Sequence, residues 1–115
     1  MNSLLKEKRK FERFNTAVKV LYRNSENINT ALLKNISMNG MLLHSSEALP
    51  VNTILTITLS VAGLAANSPK IAAKVLWCKE LEDNGWLIGT GLITNFSQSA
   101  RFMTDVFASQ NRSEN

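Results

Sequence analysis

The stretch Ala31-Leu32-Leu33-Lys34-Asn35-Ile36-Ser37-Met38-Asn39-Gly40-Met41-Leu42-Leu43 sets two apolar runs on either side of a polar interruption. Asn39-Gly40 is a strong signal for a two-residue hairpin turn, because both residues tolerate positive φ. Asn35 and Ser37 stand two apart, so on an extended strand they share a face. The stretch therefore predicts a β-hairpin, with strands over Ile28–Ile36 and Met41–His44. Asn and Ser beside a turn usually bond their own backbone. They also place two short hydrogen-bonding side chains on a rigid strand end.

Outward from this hairpin the period-2 pattern continues. Val18, Val20 and Tyr22 alternate with Ala17, Lys19 and Leu21, predicting a strand over Thr16–Arg23 that ends in the turn cluster Asn24-Ser25-Glu26-Asn27. Ala48 through Pro69 carries no charge, but it contains Pro50, Asn52, Gly63 and Pro69, and its middle alternates as Thr56-Ile57-Thr58-Leu59-Ser60-Val61. A spanning helix needs about 20 predominantly apolar residues. This is a strand, Ile54–Ala62, with no membrane insertion expected. Lys70–Leu81 reads as a long fifth strand, Asn84-Gly85 as a second hairpin signal, and Trp86–Thr94 as a sixth strand weakened or bent at Gly89 and Gly91. After Ser97 the period becomes helical: Phe96, Ala100, Met103 and Phe107 form a stripe that Ser97 or Ser99 would cap.

Six short strands and a terminal helix in 115 residues predict one all-β domain, a six-stranded antiparallel β-barrel with a C-terminal α-helix. The expected organisation is a flexible basic N-terminal arm over residues 1–14, a barrel with its helix over 15–110, and a disordered tail over 111–115. Residues 1–13 hold five of the 13 basic groups and two of the nine acidic ones, so the arm carries the field and the body is nearly neutral. A basic arm on a neutral body suits an anionic partner. A single cysteine, Cys78, excludes an internal disulfide, and with the single histidine, His44, it cannot make a usual structural zinc set. No paired carboxylates or nucleophile–base sets stand out, so no enzyme is expected. Charges interrupt Met1 to Lys10 where a secretion signal needs an apolar run, which predicts a cytoplasmic protein.

In the arm, Arg9 and Arg13 are flanked by Lys8 and Lys10. Four-residue spacing in a helical or turn-like segment puts both guanidinium groups on one side. Each offers a planar fork of donors that matches phosphate oxygens and the O6/N7 edge of guanine. Arg-x-x-x-Arg on the arm and Asn-x-Ser-x-x-Gly on the turn would make complementary halves of one site, with Gly40 allowing close approach to the backbone.

Arg9-Lys10-Phe11-Glu12-Arg13, followed by Asn35-Ile36-Ser37-Met38-Asn39-Gly40, resembles the paired signature of PilZ domains. Leu49-Pro50-Val51-Asn52-Thr53, Lys74-Val75-Leu76-Trp77 and Gly89-Thr90-Gly91-Leu92-Ile93 are similar to later segments of that family. The resemblance implies a barrel that binds the bacterial second messenger cyclic di-GMP. Arg9 and Arg13 would clamp guanine edges and phosphates, and Asn35, Ser37 and the backbone near Gly40 would hold the other guanine. Lys8, Lys10, Asn39 and Trp77 are secondary candidates, Trp77 as a stacking platform beside its reading as an ordinary barrel aromatic. Position 35 is Asn where Asp is commoner in the family, and Asn39 replaces a frequent Gly.

The function expected is a cyclic di-GMP receptor that orders its arm on binding and signals to an effector protein, without further cofactors. The alternative is a PilZ-like interaction adaptor without significant nucleotide binding. A single-stranded nucleic-acid binder is disfavoured by the near-neutral body.

Overall fold

The computed structural model describes residues 12–25, 27–60 and 69–113. Six strands, β1 (Phe14–Asn24), β2 (Asn27–Ser37), β3 (Gly40–Ser45), β4 (Ile54–Leu59), β5 (Ile71–Glu80) and β6 (Trp86–Leu92), precede one helix, α1 (Phe96–Ser113). The strands close into an antiparallel barrel in the order β1-β2-β3-β6-β5-β4. The expected fold class is therefore the observed one.

Alternation fills the barrel. Val18, Val20 and Tyr22 of β1, Leu33 and Ile36 of β2, Leu55, Ile57 and Leu59 of β4, and Ile71, Ala73 and Val75 of β5 all point inward and are buried. Burying each large apolar side chain contributes about 1.5–3 kcal/mol. Pairing is irregular at three places: between Asn15 and Val18 on β1, between Leu33 and Asn35 on β2, and between Val75 and Trp77 on β5. Such bulges re-aim side chains. At the first of them the Thr16 hydroxyl donates to the Leu33 carbonyl (2.6 Å), and the Ala17 amide donates to Gln110 Oε1 of α1 (3.1 Å).

The helix differs from its expected form in two ways. Asn95 caps it, its Oδ1 accepting from the Gln98 amide (2.9 Å) and the Ser97 hydroxyl (3.0 Å), so neither Ser97 nor Ser99 is the cap. The buried face is Ser99, Phe102, Met103, Val106 and Ser109, whereas Phe96 is two-thirds exposed. Phe107 instead packs edge-on against Phe14 (centroids 5.4 Å, 79°), which helps to start β1 at Phe14, two residues before the expected Thr16. The helical backbone runs to Ser113, past the boundary read at 110.

At the barrel end remote from the β2–β3 turn, the buried Tyr22 hydroxyl lies 3.0 Å from Ser45 Oγ and donates to Glu47 Oε1 (2.8 Å), which also accepts from Asn29 Nδ2 (2.7 Å). Burial is the main force that pushes the Tyr22 phenol up from 10.0 to about 12. The folded state thus holds the proton that the unfolded chain releases near pH 10, so stability is complete below pH 10 and falls as pH rises from 10 towards 12. Urea melts from pH 8 to 11.5 are expected to show that decline, at up to about 1.4 kcal/mol per pH unit. Tyr22→Phe should flatten it while starting from a lower stability. An equal slope in both proteins would refute this origin.

Candidate functional site

The predicted turn forms, but one residue early. Ser37 pairs with Gly40, so Met38 and Asn39 are the central residues. Neither takes positive φ; among the described non-glycine residues that conformation falls to Asn52 (φ 76°) and Asn84 (φ 67°). Asn39 uses its side chain instead: the buried Ser37 hydroxyl donates to Asn39 Oδ1 (2.7 Å), and the Asn39 amide approaches Ser37 Oγ (3.4 Å). Gly40 serves close approach rather than turn geometry. A Cβ there would stand 2.6 Å from the Thr90 carbonyl oxygen of β6, so the glycine lets β3 and β6 pair at this edge.

The same end of the barrel carries a shallow depression of about 60 Å³, bordered by Arg13, Asn35, Gly40, Leu42, Leu76, Trp77 and Gly89. The register explains the grouping. Asn15, Asn35, Leu42, Gly89 and Trp77 are successive cross-strand partners on β1, β2, β3, β6 and β5. At the usual strand spacing this row is roughly 19 Å long. Each of the three bulges falls beside it. Arg13 directly precedes Phe14, which pairs with Ile36, so the register carries the exposed Arg13 towards Ser37, two positions along from the Asn15–Asn35 pair.

Trp77 is not a barrel-core aromatic. The bulge makes Leu76 and Trp77 both face outward, 52% and 44% exposed, where strict alternation would turn one of them in. The Trp77 indole lies across Gly89: a Cβ on that glycine would sit 2.2 Å from the ring. Leu76 lies likewise over Gly91, at 3.3 Å from its would-be Cβ. Gly89 and Gly91, read from the sequence as weak points of a strand, are the floor of an exposed apolar platform.

Of the sequence-predicted residues, then, Arg13, Asn35, Gly40 and Trp77 border one depression. Ser37 and Asn39 stand at its edge with their side chains bonded to each other. Lys8, Arg9 and Lys10 lie outside the described residues. Leu42, Leu76 and Gly89 were missed. Alternation reveals Leu42 as outward-facing once the register is known, but nothing local marks the bulge that exposes Leu76 beside Trp77. At 60 Å³ the depression is far below the roughly 300 Å³ of a small-molecule pocket. It offers one cation, one amide and a flat apolar surface, which suits the face and edge of a planar base rather than enclosure of a ligand.

Away from this site, His44 has a carboxylate partner the sequence did not suggest: its Nε2 lies 3.4 Å from Asp83 Oδ2. The Gly85 amide, donating to Asp83 Oδ1 (2.8 Å), is the main cause that holds this carboxyl below its usual range, and the His44 charge acts in the same direction. The pair steadies the Leu81–Gly85 loop. Among the described residues no group of three or more His, Cys, Asp or Glu side chains could hold a metal ion, and no helix is long and apolar enough to cross a membrane.

The model of the PilZ domain matches residues 7–102. No curated protein matches the sequence. Solved structures of similar fold include the PilZ domain with c-di-GMP of YcgR from Escherichia coli, with a TM-score of 0.67 at 11% identity over 92% of this chain and 93% of that one. The K. pneumonia MrkH–c-di-GMP complex gives 0.64 at 13%, over 93% of this chain and 53% of that one. The Bacillus subtilis inhibitor of motility MotI/DgrA gives 0.62 at 14%, over 90% and 52%. The chain thus spans about half the length of MrkH and MotI. At these identities the likeness is one of fold.

Proposed function

The chain belongs to the PilZ domain family, and we propose that it is a non-enzymatic cyclic di-GMP receptor. The observation that carries this reading is that Arg13, Asn35, Gly40 and Trp77, distant in sequence, border one surface depression. Arg13, joined by Arg9, supplies guanidinium forks for a guanine edge and the phosphates. Asn35 hydrogen-bonds the other guanine, the Ser37–Asn39 pair holds the turn beside it, and Trp77 with Leu76 receives a base face. Stacking a base on an aromatic ring is worth about 1–3 kcal/mol. Lys8 and Lys10 add positive charge. Binding brings the basic arm against the barrel and remodels the surface around the Ser37–Gly40 turn, and an effector protein reads that change in the cytoplasm. Support comes also from YcgR and MrkH, whose structures were solved with c-di-GMP.

A second reading, an interaction adaptor without nucleotide binding, is favoured by one observation: the Ser37 hydroxyl is buried and already committed to Asn39. Calorimetric titration with cyclic di-GMP separates the two. The receptor gives saturable heat, and Ser37→Ala weakens it about fivefold, the equivalent of one neutral hydrogen bond. Absence of heat together with unchanged amide NMR positions would establish the adaptor.

A further inference from the structure

The bulge that turns Leu76 and Trp77 outward is held from a loop that carries no ligand-binding signature. β4 begins at Ile54, opposite Lys74. Beyond that pair the loop residues continue the contact: the Asn52 amide donates to the Val75 carbonyl (2.8 Å), and the Val75 amide donates to the Thr53 carbonyl (2.9 Å). On its other edge Val75 pairs with Thr90 of β6, and its side chain is fully buried. Val75 is therefore fixed on both edges and in the core. The extra residue of β5 has to be accommodated immediately after it, at Leu76.

The grip depends on one unusual backbone conformation. Pro50 to Thr53 form a turn closed by the Thr53 amide to the Pro50 carbonyl (3.2 Å), with Asn52 in the left-handed region at φ 76°. Leu49, 3% exposed, anchors the turn in the core. With Asn52 left-handed, its amide points at Val75. A residue that resists this region shifts the balance of turn conformers by roughly five- to thirtyfold away from it, whereas Gly, Asn and Asp tolerate it.

We propose that Asn52 is a positioning residue for the ligand platform: its left-handed turn clamps Val75 and so fixes the bulge that presents Leu76 and Trp77 over Gly91 and Gly89, a role that rests on the nucleotide-binding reading. Asn52 touches no ligand. It acts through the Val75 backbone, and its own side chain is dispensable so long as the conformation is kept.

The test compares Asn52→Val and Asn52→Gly in full-length protein carrying Trp86→Phe, so that Trp77 is the single tryptophan. Iodide quenching of Trp77 emission is read without ligand, and affinity is read by titration with cyclic di-GMP. Asn52→Val should change the quenching and raise Kd roughly fivefold or more, and Asn52→Gly should match the parent in both. Should Asn52→Val not fold, Asn52→Ala takes its place with the same expected direction. Parental quenching and affinity in the valine or alanine variant would overturn the proposal, as would equal impairment by glycine. Absence of binding by the parent protein would overturn the nucleotide reading alone, because the ligand-free quenching still decides whether Asn52 sets Trp77.

Discussion

Arg13→Ala is expected to weaken cyclic di-GMP binding about tenfold or more, with its melting temperature unchanged. A well-placed bidentate arginine–base pair is worth about 1–3 kcal/mol, and a loss of 1.4 kcal/mol is tenfold in Kd. The fold loses little, because Arg13 is exposed and precedes the first residue of β1. Arg9→Ala should weaken binding to a similar degree. Arg13→Lys separates charge from geometry: an ammonium keeps the attraction to phosphate but has no planar fork, so it should recover only part of the affinity. Calorimetry at two salt concentrations reads both contributions, since screening diminishes the charge component more than the directed hydrogen bonds. Wild-type affinity in both alanine variants would remove the arginines from the site and leave the adaptor as the better account.

The barrel was legible from sequence because its signal is repetitive. Val18, Val20, Tyr22 and Ile57, Leu59 each report the inward face independently, and one irregularity does not erase the pattern. What escaped the sequence depends on single residues out of step. Trp77 would face inward by alternation from Val75, and only the bulge at Leu76 reverses it. Asn39-Gly40 has the composition of a turn with two positive-φ residues, yet the chain turns at Met38-Asn39, because Gly40 is needed where β3 meets Thr90. His44 and Asp83 meet because β3 pairs with β6 and the Leu81–Gly85 loop folds back, a contact between residues 39 positions apart that no local pattern encodes. The motif residues at 13, 35, 37 and 40 could be listed from the sequence. Their convergence at one end of the barrel follows from the β1–β2 and β2–β3 pairing.

Two glycines that border the depression separate the demands of fold and of binding, and alanine at each should fail in a different way. At Gly40 the added Cβ would stand 2.6 Å from a backbone oxygen, Thr90 O, which cannot move without parting β3 from β6. Gly40→Ala is therefore expected to lose about 1–3 kcal/mol of stability, the usual cost of overpacking. Its binding would weaken along with the displaced strand edge. At Gly89 the added Cβ would stand 2.2 Å from the indole of Trp77, a side chain 44% exposed and free to swing into solvent. Gly89→Ala should therefore melt close to wild type, yet lose the stacking surface and about tenfold in affinity. Trp77→Ala in the same background should add little, because the two changes remove the same contact. Chemical denaturation and titration of wild type, Gly40→Ala, Gly89→Ala, Trp77→Ala and the double variant measure both effects. A Gly89→Ala protein that binds as wild type while Trp77→Ala does not would mean that the indole works from a position off the glycine floor, and the base would then have to lie elsewhere on the barrel.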